Sequence, residues 1–276
     1  MQKLKEQGKR AQVIAGGTGF YELARRGYVP EVRQLVSLMK LGLDYVHDNP
    51  ADLTIGATTR LQDLLDSGFC DKDGLEALGD ALREIRPVQV RNVATVGGEI
   101  CISVPIVDLP TSLLACKASL KIMGEGAKER SLALEHFYID AFLTRLKYGE
   151  IVKEVTIPKK TSLAESSAFV KLGRTSYDFN LINAAVSLAV AGDEKISAIR
   201  MFLGGIKRVP MRATGLEKRL MGKLIDEKLV VEAAEKSFEK ESLLPSVHGS
   251  SDYKMALLPT VVRDCIMKAY RRLGSN

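Results

Sequence analysis

Two glycine-rich stretches hold the groups of this sequence with the clearest chemical use. The first is Ala15-Gly16-Gly17-Thr18-Gly19-Phe20 and the second is Thr95-Val96-Gly97-Gly98-Glu99. Adjacent glycines let a backbone approach a ligand closely and turn successive N–H groups towards an anion. Thr95 adds a hydroxyl beside the second pair, and Asp108 a carboxylate that can accept from a sugar hydroxyl. The alternative for Gly97-Gly98 is the turn of an ordinary hairpin.

The flanking pattern decides what each stretch is attached to. Gln12 to Ala15 reads as a buried strand, and Phe20 to Arg26 as a helix with Phe20, Leu23 and Ala24 on one face. Strand, glycine turn and helix together form a phosphate-binding arrangement, because a helix start offers unpaired N–H groups and the positive end of a dipole. It is not the G-x-G-x-x-G fingerprint, whose third glycine would fall on Glu22, and no G-K-[ST] follows. The second stretch has an apolar lead-in (Val93, Ala94, Val96) and an apolar exit (Ile100, Ile102, Val104), so it too is expected to be a turn after a strand. Two such turns suit the two phosphates of a dinucleotide whose organic ring does the chemistry. The residues alone leave the identity of that cofactor open.

Other chemistries find little support. Cys70, Cys101, Cys116 and Cys265 form no C-x-x-C pair, and His47, His136 and His248 lie far apart, so no metal site is expected. The cysteine usage fits a reducing cytoplasm. No serine sits in G-x-S-x-G, no Cys and His share a motif, and no catalytic acid or base is assigned. The net charge is +6, but Lys and Arg are interleaved with Asp and Glu, which reads as a solvated surface. The basic run Lys207, Arg208, Arg212, Lys218 and Arg219 has no interleaved aromatics, so no nucleic-acid partner is expected. No apolar run reaches the roughly 20 residues of a membrane span, and no signal-peptide pattern opens the sequence.

At 276 residues, 46% of them hydrophobic and 27% charged, the chain is expected to fold into one large domain or two ordinary ones. Met1 to Gly8 reads as a short polar helix. Leu35 to Leu38 and Asp52 to Ala57 read as strands, and Thr58 and Thr59 as N-caps of a helix through Leu61, Leu64 and Leu65. An amphipathic helix runs from Gly74 to Ile85 and stops before Pro87. Ala118 to Met123 and Ile151 to Ile157 read as strands, and Lys159 to Glu165 as a polar link. Beyond it, Ser167 to Leu172, Ala184 to Val190 and Ile196 to Leu203 suggest an antiparallel sheet, followed by helices from Ala213 to Leu273.

Taken together, the motifs resemble the FAD-binding (medium) subunit of the molybdenum hydroxylases, the carbon monoxide dehydrogenase and xanthine dehydrogenase family. The matching pieces occur in the family's order: AGGTGF (Ala15 to Phe20), TIGATTRLQDL (Thr54 to Leu64), RNVATVGGEI (Arg91 to Ile100) and PIVDLP (Pro105 to Pro110). EIVKEVTIP (Glu150 to Pro158), KLGRTSYDF (Lys171 to Phe179), FLGGIKRVPMRA (Phe202 to Ala213) and SSDYKMAL (Ser250 to Leu257) continue the match.

The resemblance implies an α+β chain. Residues 1–160 would be a PCMH-type FAD-binding domain of the vanillyl-alcohol-oxidase fold, in subdomains of about 1–50 and 51–160. Residues 161–276 would be a C-terminal antiparallel sheet with helices. By motif position, Ile14, Ala15, Gly16, Gly17, Thr18, Gly19 and Phe20 would cradle the FAD pyrophosphate together with Thr95, Val96, Gly97, Gly98 and Glu99. Asp108 would hydrogen-bond cofactor hydroxyls, and Ile85 and Val152 would pack against FAD. Lys171 matches the lysine opening the third subdomain, and Phe179 a residue near the isoalloxazine. The implied function is electron transfer: a large molybdopterin-binding subunit oxidises substrate, a small [2Fe–2S] subunit relays electrons, and FAD here delivers them to NAD, a quinone or oxygen.

Departures from the family shape two further expectations. The family carries a further strand and helix ahead of the first glycine stretch, and this sequence opens inside that helix, so an unpaired sheet edge and weaker FAD binding are expected. Glu99 stands where the family has Asn, and a carboxylate beside a pyrophosphate repels it unless paired or turned away. The cysteine-bearing insertion of the hydroxybenzoyl-CoA reductase branch is absent. Two rival functions remain: a stand-alone flavin oxidase or reductase of the same fold, and a non-enzymatic scaffold subunit that has lost FAD.

Overall fold

Apolar periodicity and a few backbone staples decide the elements. The computed structural model describes residues 11–29, 32–159, 164–240, 243–246 and 249–273. The expected helix at Met1 to Gly8, His248 and the middle of the expected link at Lys159 to Glu165 lie outside them. The chain begins with β1 (Ala11–Ile14), α1 (Thr18–Arg25), β2 (Gln34–Ser37), β3 (Val46–Asp48), β4 (Asp52–Gly56) and α2 (Leu61–Asp66). Four helices follow: α3 (Glu76–Glu84), α4 (Val88–Arg91), α5 (Val96–Cys101) and α6 (Leu109–Ala115). Next come β5 (Ser119–Met123), β6 (Glu129–Ala133), β7 (Tyr138–Asp140), β8 (Leu143–Thr144) and β9 (Ile151–Pro158). The rest is β10 (Glu165–Leu172), β11 (Ile182–Val190), β12 (Ile196–Gly204), β13 (Met211–Arg212), α7 (Thr214–Leu220), α8 (Glu227–Glu235) and α9 (Ser251–Arg272).

Packing divides the chain into two units that do not follow sequence order. One holds the chain up to Gly68 with Pro87–Ser103 and Lys117–Pro158; the other holds Phe69–Arg86, Val104–Cys116 and the chain from Lys159 onward.

In the first unit β1 and β2 pair in parallel, and a five-stranded antiparallel sheet has the order β3-β4-β9-β5-β6. The apolar alternation of β9 places it at the centre of that sheet, with Ile151, Val152, Val155 and Ile157 buried. Thr58 and Thr59 are not the N-caps of α2. Extended pairing runs past β4, with Gly56 N–H donating to Tyr45 O and Thr58 N–H to Leu43 O. The helix therefore starts later, with Arg60 in the cap position and no side-chain bond. Thr59 Oγ1 instead donates to Tyr45 O at 3.0 Å.

In the second unit the expected antiparallel sheet forms, in the order β10-β11-β12-β13. Helix α9, capped by Ser250 Oγ accepting from Tyr253 N–H, buries Leu258, Val261, Val262, Cys265, Ile266 and Ala269 in the same core. Their i, i+3, i+4 spacing is that of one helical face, and each fully buried Leu, Ile or Val contributes about 1.5–3 kcal/mol relative to exposure.

Helix α3 adds two carboxylates to its buried face. Residues four apart on a helix advance about 6 Å, and residues two apart on a strand about 6.7 Å, so Glu76 and Asp80 register with Ser167 and Phe169 of β10. Glu76 Oε2 accepts from Ser167 N–H at 3.0 Å, and Asp80 Oδ2 from Phe169 N–H at 3.1 Å. Asp80 also takes both terminal nitrogens of Arg272 at 2.8 and 2.9 Å and Lys268 Nζ at 2.9 Å. Burial pushes the Asp80 carboxyl up, and the bonds from Arg272 and Lys268 outweigh that and hold it below its usual value. The stabilisation is therefore present above the unfolded carboxylate range and is lost as pH falls through the lowered folded value. Replacing Asp80 by Ala strands a part-buried guanidinium, and the expected loss is about 3–5 kcal/mol. Urea unfolding at neutral pH, with faster hydrogen exchange at the Phe169 amide, is the check.

Candidate cofactor-binding site

The first unit contains a cavity of about 510 Å³, a size typical of small-molecule sites. Its lining includes the loop from β1 into α1, the start of α5, and the first residues of β9. Two of the three glycines in the loop have separate physical reasons. Gly17, the N-cap of α1, has φ of 77°, the left-handed region that a side chain resists. Gly16 lies so close to the chain at Val93 that a Cβ would collide with the Val93 carbonyl oxygen.

The loop offers a set of open donors. Among the described residues, the main-chain N–H groups of Gly16, Gly17, Thr18, Gly19 and Phe20 donate no hydrogen bond. Those of Thr18, Gly19 and Phe20 are the orphan amides of the first turn of α1, at the positive end of its dipole. Donors in this number on a cavity wall suit a diphosphate.

The second glycine pair behaves otherwise, and the expected turn after a strand is corrected here. Gly97 and Gly98 lie inside α5, whose N-cap Thr95 accepts from Gly98 N–H through Oγ1 at 3.2 Å. Val96 N–H donates to Thr59 O at 3.0 Å, Gly97 N–H to Ala57 O at 2.8 Å, and Glu99 N–H to Thr95 O at 3.0 Å. All four amides are thus engaged inside the protein, and the Thr95 hydroxyl is a cap. The glycine at 97 answers to packing, since a Cβ there would lie 2.7 Å from Ala57 Cβ. The two glycine stretches do meet on one cavity, but only the first brings unengaged amides to it.

Of the residues singled out in the sequence, Ile14 to Phe20, Thr95, Gly97, Gly98, Glu99 and Val152 line the cavity. Val96 is buried beside it and is not a lining residue. Ile85, Asp108, Lys171 and Phe179 belong to the second unit. There Asp108, 4% exposed, sits at the start of α6 and organises a buried polar cluster. Its Oδ2 accepts from Lys171 Nζ at 2.7 Å, and its Oδ1 from Asn180 Nδ2 and Asn183 Nδ2 at 3.0 and 2.9 Å. Lys171 Nζ also donates to Glu84 O at 3.1 Å, so both groups are held within their own unit. Ile85 is buried there, and Phe179 is 40% exposed.

Sequence reasoning missed Tyr28, Cys101, Ile102, Phe142, Leu146 and Glu150 among the lining residues. Glu150 and Ile151 open the motif that gave Val152, and their places on either side of a strand start were the available signal. Arg130 binds the Glu150 carboxylate at 2.9 and 2.7 Å, and Lys147 N–H adds a third bond at 2.8 Å. The Arg130 bonds foremost pull the Glu150 carboxyl down to about 2. Burial pushes the Cys101 thiol up to about 12, so it stays neutral.

Residues 1–160 match the family of the FAD binding domain in molybdopterin dehydrogenase, and residues 167–269 the CO dehydrogenase flavoprotein C-terminal domain. The chain belongs to the FAD-binding medium subunits of the molybdenum hydroxylases. It is 28% identical to the glyceraldehyde dehydrogenase medium chain of Sulfolobus acidocaldarius, with 99% of this chain and 94% of that relative covered. It is 26% identical to the carbon monoxide dehydrogenase medium chain of Hydrogenophaga pseudoflava, covering 98% and 92%. The solved carbon monoxide dehydrogenase of the same organism, lacking the Mo-pyranopterin moiety of its cofactor, superposes with a TM-score of 0.90 at 25% identity, over 99% of this chain and 94% of that one. Quinoline 2-oxidoreductase from Pseudomonas putida 86 gives a TM-score of 0.86 at 27% identity, over 98% and 92%.

FAD, the cofactor of this flavoprotein family, fits the residues present. Gly16, without a Cβ, lets the loop close on Val93, and the amides of Gly16 to Phe20 match the acceptor-only chemistry of a diphosphate. Among the described residues no helix is long and apolar enough to cross a membrane.

Two outcomes follow for this flavoprotein subunit. Gly16→Ala must push the Val93 chain away, and the expected result is loss of bound FAD, read from the flavin absorbance of the purified chain. Gly27→Ala, at φ 74° with nothing within 4 Å of its Cβ, is the control that introduces left-handed strain outside the cavity and retains FAD. For the Glu150–Arg130 pair, the depressed carboxyl contributes stability above the unfolded value near 4.5 and loses it as pH falls towards about 2. Glu150→Gln is expected to flatten the acid limb of a melting-temperature profile over that window and leave its neutral portion pH-independent.

Proposed function

We propose that this chain is the electron-transfer flavoprotein of a molybdopterin-dependent dehydrogenase, working with a large molybdopterin-binding subunit and a small [2Fe–2S] subunit. The bound FAD supplies the redox chemistry, linking the [2Fe–2S] relay to an acceptor such as NAD, a quinone or oxygen. The observation that carries the reading is the run of unengaged amides from Gly16 to Phe20 on the cavity wall. These N–H groups and the start of α1 hold the diphosphate through main-chain donors, which carry no titrating proton. Gly17 sets the path of the loop, and Thr95 and the Ala57–Gly97 staple fix the neighbouring start of α5. Val152, Ile14 and Ile102 supply apolar surface that excludes water from the cofactor. In this reading residues 1–160 form the FAD-binding part and 161–276 the C-terminal part, and Asp108 of the former keeps Lys171, Asn180 and Asn183 of the latter in place. No side chain is assigned as a general acid or base.

Purification of the tagged chain from its native cells tests this. The expected product is yellow, carries one FAD per chain, and co-elutes with subunits containing molybdenum and iron–sulfur clusters. A colourless chain that assembles would make it a scaffold, and a yellow monomer that oxidises a small molecule unaided would make it an oxidase; either result overturns the proposal.

A further inference from the structure

The hairpin of β7 and β8 carries a residue that its geometry does not favour. Asp140 and Leu143 are paired, so the loop is only Ala141 and Phe142. Phe142 has φ of 62° in the second loop position, where a type II turn takes glycine. A bulky aromatic residue at positive φ is a genuine outlier that persists only when its surroundings impose it.

Those surroundings are specific. Phe142 N–H donates to Ser103 O at 2.7 Å, and Ser103 Oγ donates to Asp140 O at 2.9 Å. Ser103 is itself at φ 48°, buried just past α5. Two strained residues thus clamp one another across the hairpin tip. Core packing does not explain the ring, because Phe142 is 58% exposed. It lines the cavity all the same, together with the Gly16 to Phe20 loop. An aromatic residue whose main chain is clamped at a cavity and whose ring is open to solvent is suited to stack on a flat heteroaromatic ring.

We infer that Phe142, fixed by the Ser103 clamp, is a stacking surface for a planar ring of the bound dinucleotide. The inference rests on the FAD reading above and adds a residue that none of the glycine motifs contains. Adenine and isoalloxazine share the required chemistry, and fragments of the cofactor distinguish them.

The test uses the full chain freed of cofactor, titrated with FAD, with ADP and with FMN, for wild type, Phe142→Gly and Phe142→Leu. Glycine removes the ring and relieves the positive φ, so Phe142→Gly is expected to melt no lower than wild type. Its affinity for FAD is expected to fall by roughly 5- to 100-fold, the span of one aromatic–base stack. Phe142→Leu keeps apolar bulk without a planar face and is expected to fall similarly. A matching loss for ADP assigns adenine, and for FMN the isoalloxazine; both support the inference. Wild-type binding of FAD with unchanged affinity in both variants overturns it alone. A wild-type chain that binds no FAD overturns the flavin reading and this inference with it.

Discussion

The cavity depends on one close approach of main chain to main chain, that of Gly16 to Val93. No side chain, not even a methyl group, fits between them without moving the Val93 carbonyl. That approach puts the β1–α1 loop and the segment leading into α5 on a common wall. The second segment is in turn stapled along residues 57–61, through Leu61 N–H to Ala94 O, Val96 N–H to Thr59 O and Gly97 N–H to Ala57 O. Main-chain donors held this way have no rotamers to lose and stay where they are. Preorganisation of that kind lowers the entropic cost of ordering a binding surface when a ligand arrives.

Hydrogen-bond accounting separates the two glycine stretches more sharply than their composition does. Buried amides must be paired or meet a ligand. At α5 every amide from Val96 to Glu99 has its partner within the fold, so that helix start is a strut. At α1 the amides from Gly16 to Phe20 are left without one among the described residues, and they face the requirement that α5 has already met. The donors open to an anion therefore sit on one loop, and the other shapes the space around it.

Much of this was legible in sequence, for reasons that also explain the misses. Period-two and helical patterns gave β9, the strands of the C-terminal sheet, α3 and α9, because each has one strongly buried face. Gly16 and Gly17 were readable since strand, glycine and helix follow one another locally. The helical setting of Gly97 and Gly98 was not, because glycine weakens a helix by about 1 kcal/mol relative to Ala, and the reason for Gly97 is Ala57, distant in sequence. Asp108 was visible as a carboxylate, but its partners lie at Lys171, Asn180 and Asn183, beyond any local window. The β7–β8 hairpin gave no turn signal, since its loop holds Ala141 and Phe142 where Gly, Asn or Asp mark a turn. The packing of 69–86 and 104–116 with the later chain was equally hidden, because it rests on Glu76 and Asp80 meeting β10 and α9 rather than on any boundary composition.

Two titratable groups on the cavity, Glu150 and Cys101, have settled charge states. Glu150, drawn down to about 2 by Arg130, is a carboxylate at any pH near neutrality, and its charge is answered by the guanidinium that draws it down. Cys101, pushed up to about 12 by burial, is a neutral thiol over the same range. A general acid or base needs a value near the working pH, and neither group has one. Neither changes its charge near neutral pH, so a redox cofactor held beside them meets the same two neighbours across that range. The chain's contribution is thus positional and electrostatic, and the reaction belongs to the group it binds.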